Sequence, residues 1–440
     1  MSGGVGPGGR FRHTFSQRQV AIFHEQRRDE ADDASITVPR VELTRTFEPW
    51  FTTLVHDVVN DNPAVPRVRV ATYGDASAAA IAVALKSNTC VTTWDLHDSA
   101  ITDVGARAVA AAMQPAFNRT VSTLDLHSNC IEYTGCHALV HGLRHNSSLL
   151  HLDLRDNNIG DAGLQAFAGL VAGQTEKTEA LHSCPLLSLD VSANCIGDIG
   201  AQAFLRRGLT ANTVLQSLCL GRNRISDVSA DAIGSTLQLG SIALQELNLA
   251  ANRLSDATCL ALAHALGSNK CLQKLDLSHN RVGDEGAAAL AGANSTLTEL
   301  RLASNLVTDE GCTALAQSLG KPTRELAHGA PICALRVLDL SDCKILNPGA
   351  LALAAGLRSN SSLEVLRLRS NQISSMGCEA FADVLRQNAT LVELDLDLNQ
   401  ITTAEALRDF VPVLTEANTT LRVLRMGANI AHSVRLKQSR

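Results

Sequence analysis

At 440 residues, 45% of them hydrophobic but only 3% aromatic, the chain must build its core from Leu, Ala, Val and Ile. A formal net charge of −6 and a pI near 6.2 speak against a partner held by phosphate neutralisation, so nucleic acid is not expected. No apolar run approaches the ~18 residues of a membrane span, so no membrane partner is expected either.

Residues 1–45 form an N-terminal arm. Its Gly-rich start, Met1 to Gly9, lacks the apolar stretch of a secretory leader, so a cytoplasmic chain with reduced thiols is expected. Two readings of the arm stand side by side. Its mixed charges from Arg27 to Asp33 fit a segment of low order. Phe11, Phe15, Val20, Ile22 and Phe23 fit apolar anchors docked on a partner. Residues 46–64 then predict a capping helix, with Thr46 as N-cap, Pro49 in the first turn, and Phe47, Trp50, Phe51, Leu54 and Val58 on one face.

From 65 to 430 the chain repeats itself. Leu272-Gln273-Lys274-Leu275-Asp276-Leu277-Ser278-His279-Asn280-Arg281-Val282-Gly283-Asp284-Glu285-Gly286, followed by the helix-forming Ala287 to Ala291, shows the frame best. A degenerate unit at Val65, Val68 and Val70 opens the array. Units then start at Val91, Val121, Leu149, Leu186, Leu215, Leu244, Leu272, Leu297, Leu335, Leu363, Leu391 and Leu421. About 12–13 such units, each supplying one short strand and one helix, can bury their apolar faces only by stacking. The fold class is therefore α/β, a leucine-rich-repeat solenoid or horseshoe with a parallel inner sheet and outer helices. Two intervals are long, and their insertions lie around Gln174–Cys184 and Lys321–Ala334, at one edge of the solenoid. Residues 431–440 are a basic tail carrying Arg435, Lys437 and Arg440.

Most recurring residues read as scaffold. The Asn column, Asn129, Asn157, Asn194, Asn223, Asn252, Asn280, Asn305, Asn371, Asn399 and Asn429, should satisfy backbone groups where the chain leaves each strand, with Ser99 and Cys343 as substitutes. Asp103, Asp161, Asp198, Asp227, Asp256, Asp284 and Asp309, continued by Asn347, Ser375 and Thr403 and interrupted by Tyr133, read as N-caps. Sequons at Asn118, Asn146, Asn294, Asn360, Asn388 and Asn418 read as turn chemistry, not glycan sites. Cys136, Cys259, Cys312 and Cys378 share one repeat position and read as buried thiols.

The inner face holds the candidate binding residues. Between the second and third apolar strand positions stand Asp95, Asp125, Asp153, Asp190, Cys219, Asn248, Asp276, Arg301, Asp339, Arg367, Asp395 and Arg425. Acid and Arg alternate from Asp276 onward, which favours cross-strand pairing. Four successive acids from Asp95 to Asp190 should repel, relieved in part by His97, His127, Arg155 and His151. This stretch reads either as a locally balanced surface or as an acidic recognition surface for a basic peptide. Asp95, His97, Asp125 and His127 are suitable metal ligands by type. Two strands alone converge poorly on a tetrahedral site, so neither metal nor cofactor is expected. No P-loop, His-Glu-x-x-His, Gly-x-Ser-x-Gly or dinucleotide glycine pattern occurs, so no enzyme is expected.

The unit Leu152-Asp153-Leu154-Arg155-Asp156-Asn157-Asn158-Ile159-Gly160-Asp161-Ala162-Gly163 resembles the ribonuclease-inhibitor-like class of leucine-rich repeats. That class includes the repeats of NOD-like receptors, Ran GTPase-activating proteins and axonemal leucine-rich subunits such as that of the dynein regulatory complex. The resemblance implies a curved α/β solenoid that binds protein partners inside cells. It departs from a complete NOD-like receptor, having no nucleotide-binding domain before the repeats. It also departs from the Ran type in its basic end, and from ribonuclease inhibitors in holding only two Trp. The expectation is a non-enzymatic scaffold, a structural subunit of a hetero-oligomeric assembly, cytoplasmic or ciliary; a Ran-type GTPase-activating protein or a cytosolic regulatory repeat protein is the alternative.

Overall fold

The computed structural model describes residues 48–70, 74–172, 184–239, 242–293, 296–320, 335–401, 403–427 and 429. Phe11, Phe15 and Phe23 of the arm, most of both insertions, Asn294 and the basic tail lie outside them.

Thirteen three-residue strands pair in parallel and in sequence order into one open sheet. They are β1 Arg67–Arg69, β2 Thr93–Asp95, β3 Thr123–Asp125, β4 His151–Asp153, β5 Ser188–Asp190, β6 Ser217–Cys219, β7 Glu246–Asn248, β8 Lys274–Asp276, β9 Glu299–Arg301, β10 Val337–Asp339, β11 Val365–Arg367, β12 Glu393–Asp395 and β13 Val423–Arg425. Helix α1, Pro49–Val59, precedes the sheet. After the strands come α2 Gly74–Leu85, α3 Asp103–Ala112, α4 Tyr133–Leu143, α5 Gly160–Val171, α6 Asp198–Ala203, α7 Ala230–Leu237, α8 Asp256–Leu266, α9 Asp284–Ala293, α10 Asp309–Leu319, α11 Asn347–Leu357, α12 Ser375–Leu385 and α13 Thr403–Pro412. Strands sit about 4.8 Å apart and helices about 8–10 Å, so stacking sets the sheet on the inner side of each turn. None of the described helices is long and apolar enough to cross a membrane.

One core runs the length of the array, because each strand turns its central residue, Val68 on β1, Trp94 on β2 and Leu on the others, toward the helices. Leu124, Leu152, Leu189 and Leu218 are buried there with the Ile or Val that follows the Asn column. Helix α1 covers the first open end with Phe51, Val55 and Val58, and the Asn88 amide donates to the Val58 carbonyl at 2.8 Å. The expected cap differs in detail. The helix starts at Pro49 with Glu48 at its N-cap, while Thr46 and Phe47 lie outside the described residues. Trp50 is 46% exposed, and Val55 takes the place assigned to it on the apolar face.

The Asn column does what its position suggested, and it links neighbours. Asn157 donates from Nδ2 to the carbonyls of Leu126 at 2.9 Å and Leu154 at 3.0 Å, and its Oδ1 accepts from Ile131 N–H at 2.9 Å. Ser99 and Cys343 keep the donor half, onto Val70 and Leu302. The residue before each Asn from Asn129 to Asn399 is left-handed without being glycine, as at Asp156, φ 56°, and His279, φ 56°. Its N–H reaches the next repeat, Asp156 to Ser192 O at 2.9 Å, which holds the strained turn.

The acid column requires a correction. These residues stand inside or at the start of a helix, yet they cap the following one. Asp284 Oδ1 accepts from the N–H of Thr308 at 2.7 Å and of Gly311 at 2.9 Å, and Thr308 Oγ1 donates to Oδ2. Asp103, Asp161, Asp198, Asp227, Asp256, Asp309 and Asn347 reach forward in the same way. This explains the repeat glycine. A Cβ on Gly311 would meet Asp284 Oδ1 at 2.6 Å, and one on Gly286 would meet Asp256 Oδ1 at 2.5 Å.

The sequon asparagines among the described residues are buried. Asn118 spends Nδ2 on the Leu85 carbonyl at 2.9 Å and Oδ1 on Val121 N–H at 2.9 Å, which leaves no room for a glycan. Asn146, Asn360, Asn388 and Asn418 repeat this arrangement, as do Asn212 and Asn269, which lack the sequon. Cys136, Cys259, Cys312 and Cys378 are buried as expected, and desolvation holds the first three thiols above their ordinary range. Cys130 and Cys195 depart from that reading and are exposed.

Candidate functional site on the inner sheet face

Register places the candidate residues in one line. Asp95, Asp125, Asp153, Asp190, Cys219, Asn248 and Asp276 are direct partners on β2 to β8, and Arg301, Asp339, Arg367, Asp395 and Arg425 continue the row to β13. The alternating half pairs as its charges dictate. Arg301 lies 3.6 Å from Asp276, Arg367 3.9 Å from Asp339 and Arg425 3.5 Å from Asp395. Glu393, two residues back on the same face, takes Arg367 and Arg425 at 3.3 Å each. These pairs are partly exposed, so each contributes little and together they lock register.

In the acidic half the four residues are not equivalent. Asp95 is 1% exposed and fully engaged: Arg67 Nη2 donates to it at 2.5 Å, and His97 Nδ1 lies 2.5 Å away. Burial opposes its ionisation, but the Arg67 and His97 hydrogen bonds hold its carboxyl below the usual range. Arg67 and Arg69 were legible one register earlier, in the degenerate repeat, yet were not singled out. Asp125 takes His127 Nδ1 at 2.6 Å. The His97 and His127 rings stack at 4.6 Å, 4° from parallel.

Further along, relief is thinner. Asp153 has Arg155 Nε at 3.3 Å, an exposed side chain, with His127 at 4.0 Å. Asp190 takes neutral donors, Ser192 N–H at 2.9 Å and Ser192 Oγ at 2.6 Å. His151 is exposed on β4, two residues before Asp153. Burial first, then the charges of Asp190 and Asp125, push the Asp153 carboxyl up to about 6.

This raised value fixes a sign. Between about pH 4 and 6 the folded chain holds a proton on Asp153 that the unfolded chain has released. Stability therefore falls as pH rises through that window, and the contribution is gone above it. Asp153→Asn, which keeps the acceptor for Arg155 N–H at 3.0 Å, is expected to flatten that slope and add about 1–2 kcal/mol at pH 7. Urea midpoints measured from pH 4 to 7 check this; an unchanged slope contradicts it.

The face presents carboxylates, an amide and guanidinium groups on adjacent strands. Its depression between Cys219, Asn248, Asp276 and Arg301 measures about 250 Å³, below the roughly 300–1,000 Å³ of small-molecule sites. Among the described residues neither His97 nor His127 is hydrogen-bonded to a hydroxyl or thiol; their partners are Asp95, Arg69 and Asp125.

The comparisons bear on the repeat itself. A family model described as Leucine Rich repeat matches residues 87–110, 117–140, 145–168, 182–205, 211–234, 268–291, 293–316, 333–354, 359–382 and 387–404. It passes over the unit at Leu244, which the structure builds in the same form, with β7, Asn252 and α8. No curated protein matches the chain. Among solved structures, an internalin (inlF) from Listeria monocytogenes is 17% identical over 81% of this chain and 91% of its own, with a TM-score of 0.44. The actin-binding site 2 of leiomodin-1 is 21% identical over 40% of this chain and 80% of its own, with a TM-score of 0.27. Both likenesses are too loose to carry function. The matched segments span more than half of the sequence, and thirteen repeats stack in one sheet. The chain belongs to the leucine-rich repeat family, whose members generally mediate protein–protein interaction.

Proposed function

We propose that this chain is a non-enzymatic docking scaffold of the ribonuclease-inhibitor-like class, a subunit of a larger intracellular assembly. Its inner face over β3 to β5 receives a basic segment of a protein partner. The observation that carries this reading is the Asp125, Asp153 and Asp190 row. Three acids stand on adjacent rungs, and burial, with the charges of Asp190 and Asp125 added, pushes Asp153 up to about 6. A Lys or Arg laid across these rungs relieves that repulsion. The same face beyond β8 already carries its own Arg partners, so it offers no comparable gain.

Fluorescence anisotropy of a labelled Arg/Lys-rich peptide tests it. Binding is expected to weaken with salt, as exposed charge contacts do. The combined variant Asp125→Asn, Asp153→Asn, Asp190→Asn should weaken it at least ~10-fold, a loss of about 1.4 kcal/mol. Equal affinity for the parent and the variant would remove the reading.

A further inference from the structure

We propose that His97, His127 and Asp125 bind a divalent transition-metal ion on the inner face beside β2 and β3, with Asp95 as the carboxylate that orients His97. One ligand atom from each of the three residues lies within 4.8 Å of the others, and all three side chains are partly open to solvent. Tetrahedral Zn–N and Zn–O bonds of about 2.0–2.2 Å set donor separations near ~3.4 Å. Closing that gap requires the Asp125 side chain to turn away from His127 Nδ1.

The surroundings are arranged as they are around metal-bound imidazoles. Each Nδ1 faces a carboxylate oxygen, His97 on Asp95 at 2.5 Å and His127 on Asp125 at 2.6 Å. Such a partner keeps the proton on Nδ1 and leaves Nε2 as the lone-pair nitrogen. Arg69 Nη2 donates to His97 Nε2 at 3.0 Å, which requires that same tautomer. Asp95 is anchored from its other side by Arg67 and does not swing away. The stacked rings present two nitrogens on neighbouring rungs, and Asp125, which faces Nδ1 of His127, ligates the ion by leaving that contact and turning toward Nε2.

Two imidazoles and one carboxylate suit Zn²⁺, Co²⁺, Ni²⁺ or Cu²⁺ rather than Ca²⁺ or Mg²⁺. Poor convergence of two strands argued against four protein ligands. Three suffice when water or a partner's side chain completes the shell. Arg69 is the competitor at His97 Nε2, and its side chain is 59% exposed, so it can give way to an ion. The inference stands apart from the docking reading, since it concerns the ion alone.

Titrating the full-length protein with Co²⁺, read by visible absorption and back-titrated with Zn²⁺, tests it. One equivalent with tetrahedral or five-coordinate bands is expected. His97→Gln and His127→Gln should each weaken binding at least ~10-fold, and Asp95→Asn should weaken it within the roughly 10–100-fold range of outer-shell partners. Arg69→Ala should tighten it several-fold. His151→Ala and Cys195→Ala should leave it unchanged, and circular dichroism confirms that each variant is folded. Absence of saturable binding, or folded His97→Gln and His127→Gln proteins that bind like the parent, would overturn the proposal.

Discussion

Asn157→Ala is expected to destabilise the protein by about 1–3 kcal/mol, a sizeable share of the ~5–15 kcal/mol that holds a typical domain. The substitution removes no apolar contact of consequence. It takes the acceptor from the Ile131 N–H and one of two amide donors from each of the Leu126 and Leu154 carbonyls, which Asn129 and Asn194 still serve. An unpaired buried polar group costs roughly 1–3 kcal/mol, and here one is created, the Ile131 N–H. Guanidinium unfolding measures the total, and amide exchange at Ile131 reports the local opening. A loss below ~1 kcal/mol would show that the column is decorative.

Gly142→Ala should cost about 2–3 kcal/mol although Ala is the better helix former. Gly142 lies on α4 where it crosses α3, and a Cβ there would meet Ala110 O at 2.3 Å and Ala110 Cα at 2.9 Å. Those are backbone atoms, so no side chain can turn aside, and the helices must separate. Gly292 on α9 is the control, because nothing lies within 4 Å of its missing Cβ. Gly292→Ala should stabilise by about 0.5–1 kcal/mol. Two identical substitutions with opposite signs isolate helix packing from helix propensity; equal signs would refute the packing explanation.

The solenoid was legible because period and chemistry coincide at each position. Strand Leu, turn Asn and helix Ala recur at intervals that admit only one stack. What the sequence hid lies in relations between repeats. A column of acids shows that helix starts need capping, but not whose start each acid serves. Asp284 at the head of α9 looks like its own cap, yet it serves Thr308 and Gly311. The glycine after it was visible as a pattern without a reason until the Asp beside it was placed. The second Asn row was masked by its likeness to glycan sequons, although Asn212 and Asn269 share the position without one.

The inner face was legible as a row of charges and misjudged in strength. Asp95 was grouped with the repelling acids because Arg67 and Arg69 belong to a repeat whose Asn is missing. Read in register, those two arginines face Thr93 and Asp95. The unrelieved stretch therefore shrinks to Asp125, Asp153 and Asp190, with Asp153 as its most strained member. The stacked histidines depend on ring orientation, which spacing alone does not carry.

The central claim is that this short acidic stretch, and not the face as a whole, receives the partner. Side-by-side titration of the basic peptide into two neutralised proteins addresses it. One carries Asp125→Asn, Asp153→Asn and Asp190→Asn; the other carries Asp276→Asn, Asp339→Asn and Asp395→Asn. The first is expected to lose at least ~10-fold in affinity and the second to change by less than ~3-fold, since its acids already serve Arg301, Arg367 and Arg425. Equal losses in both, or none in either, would contradict it.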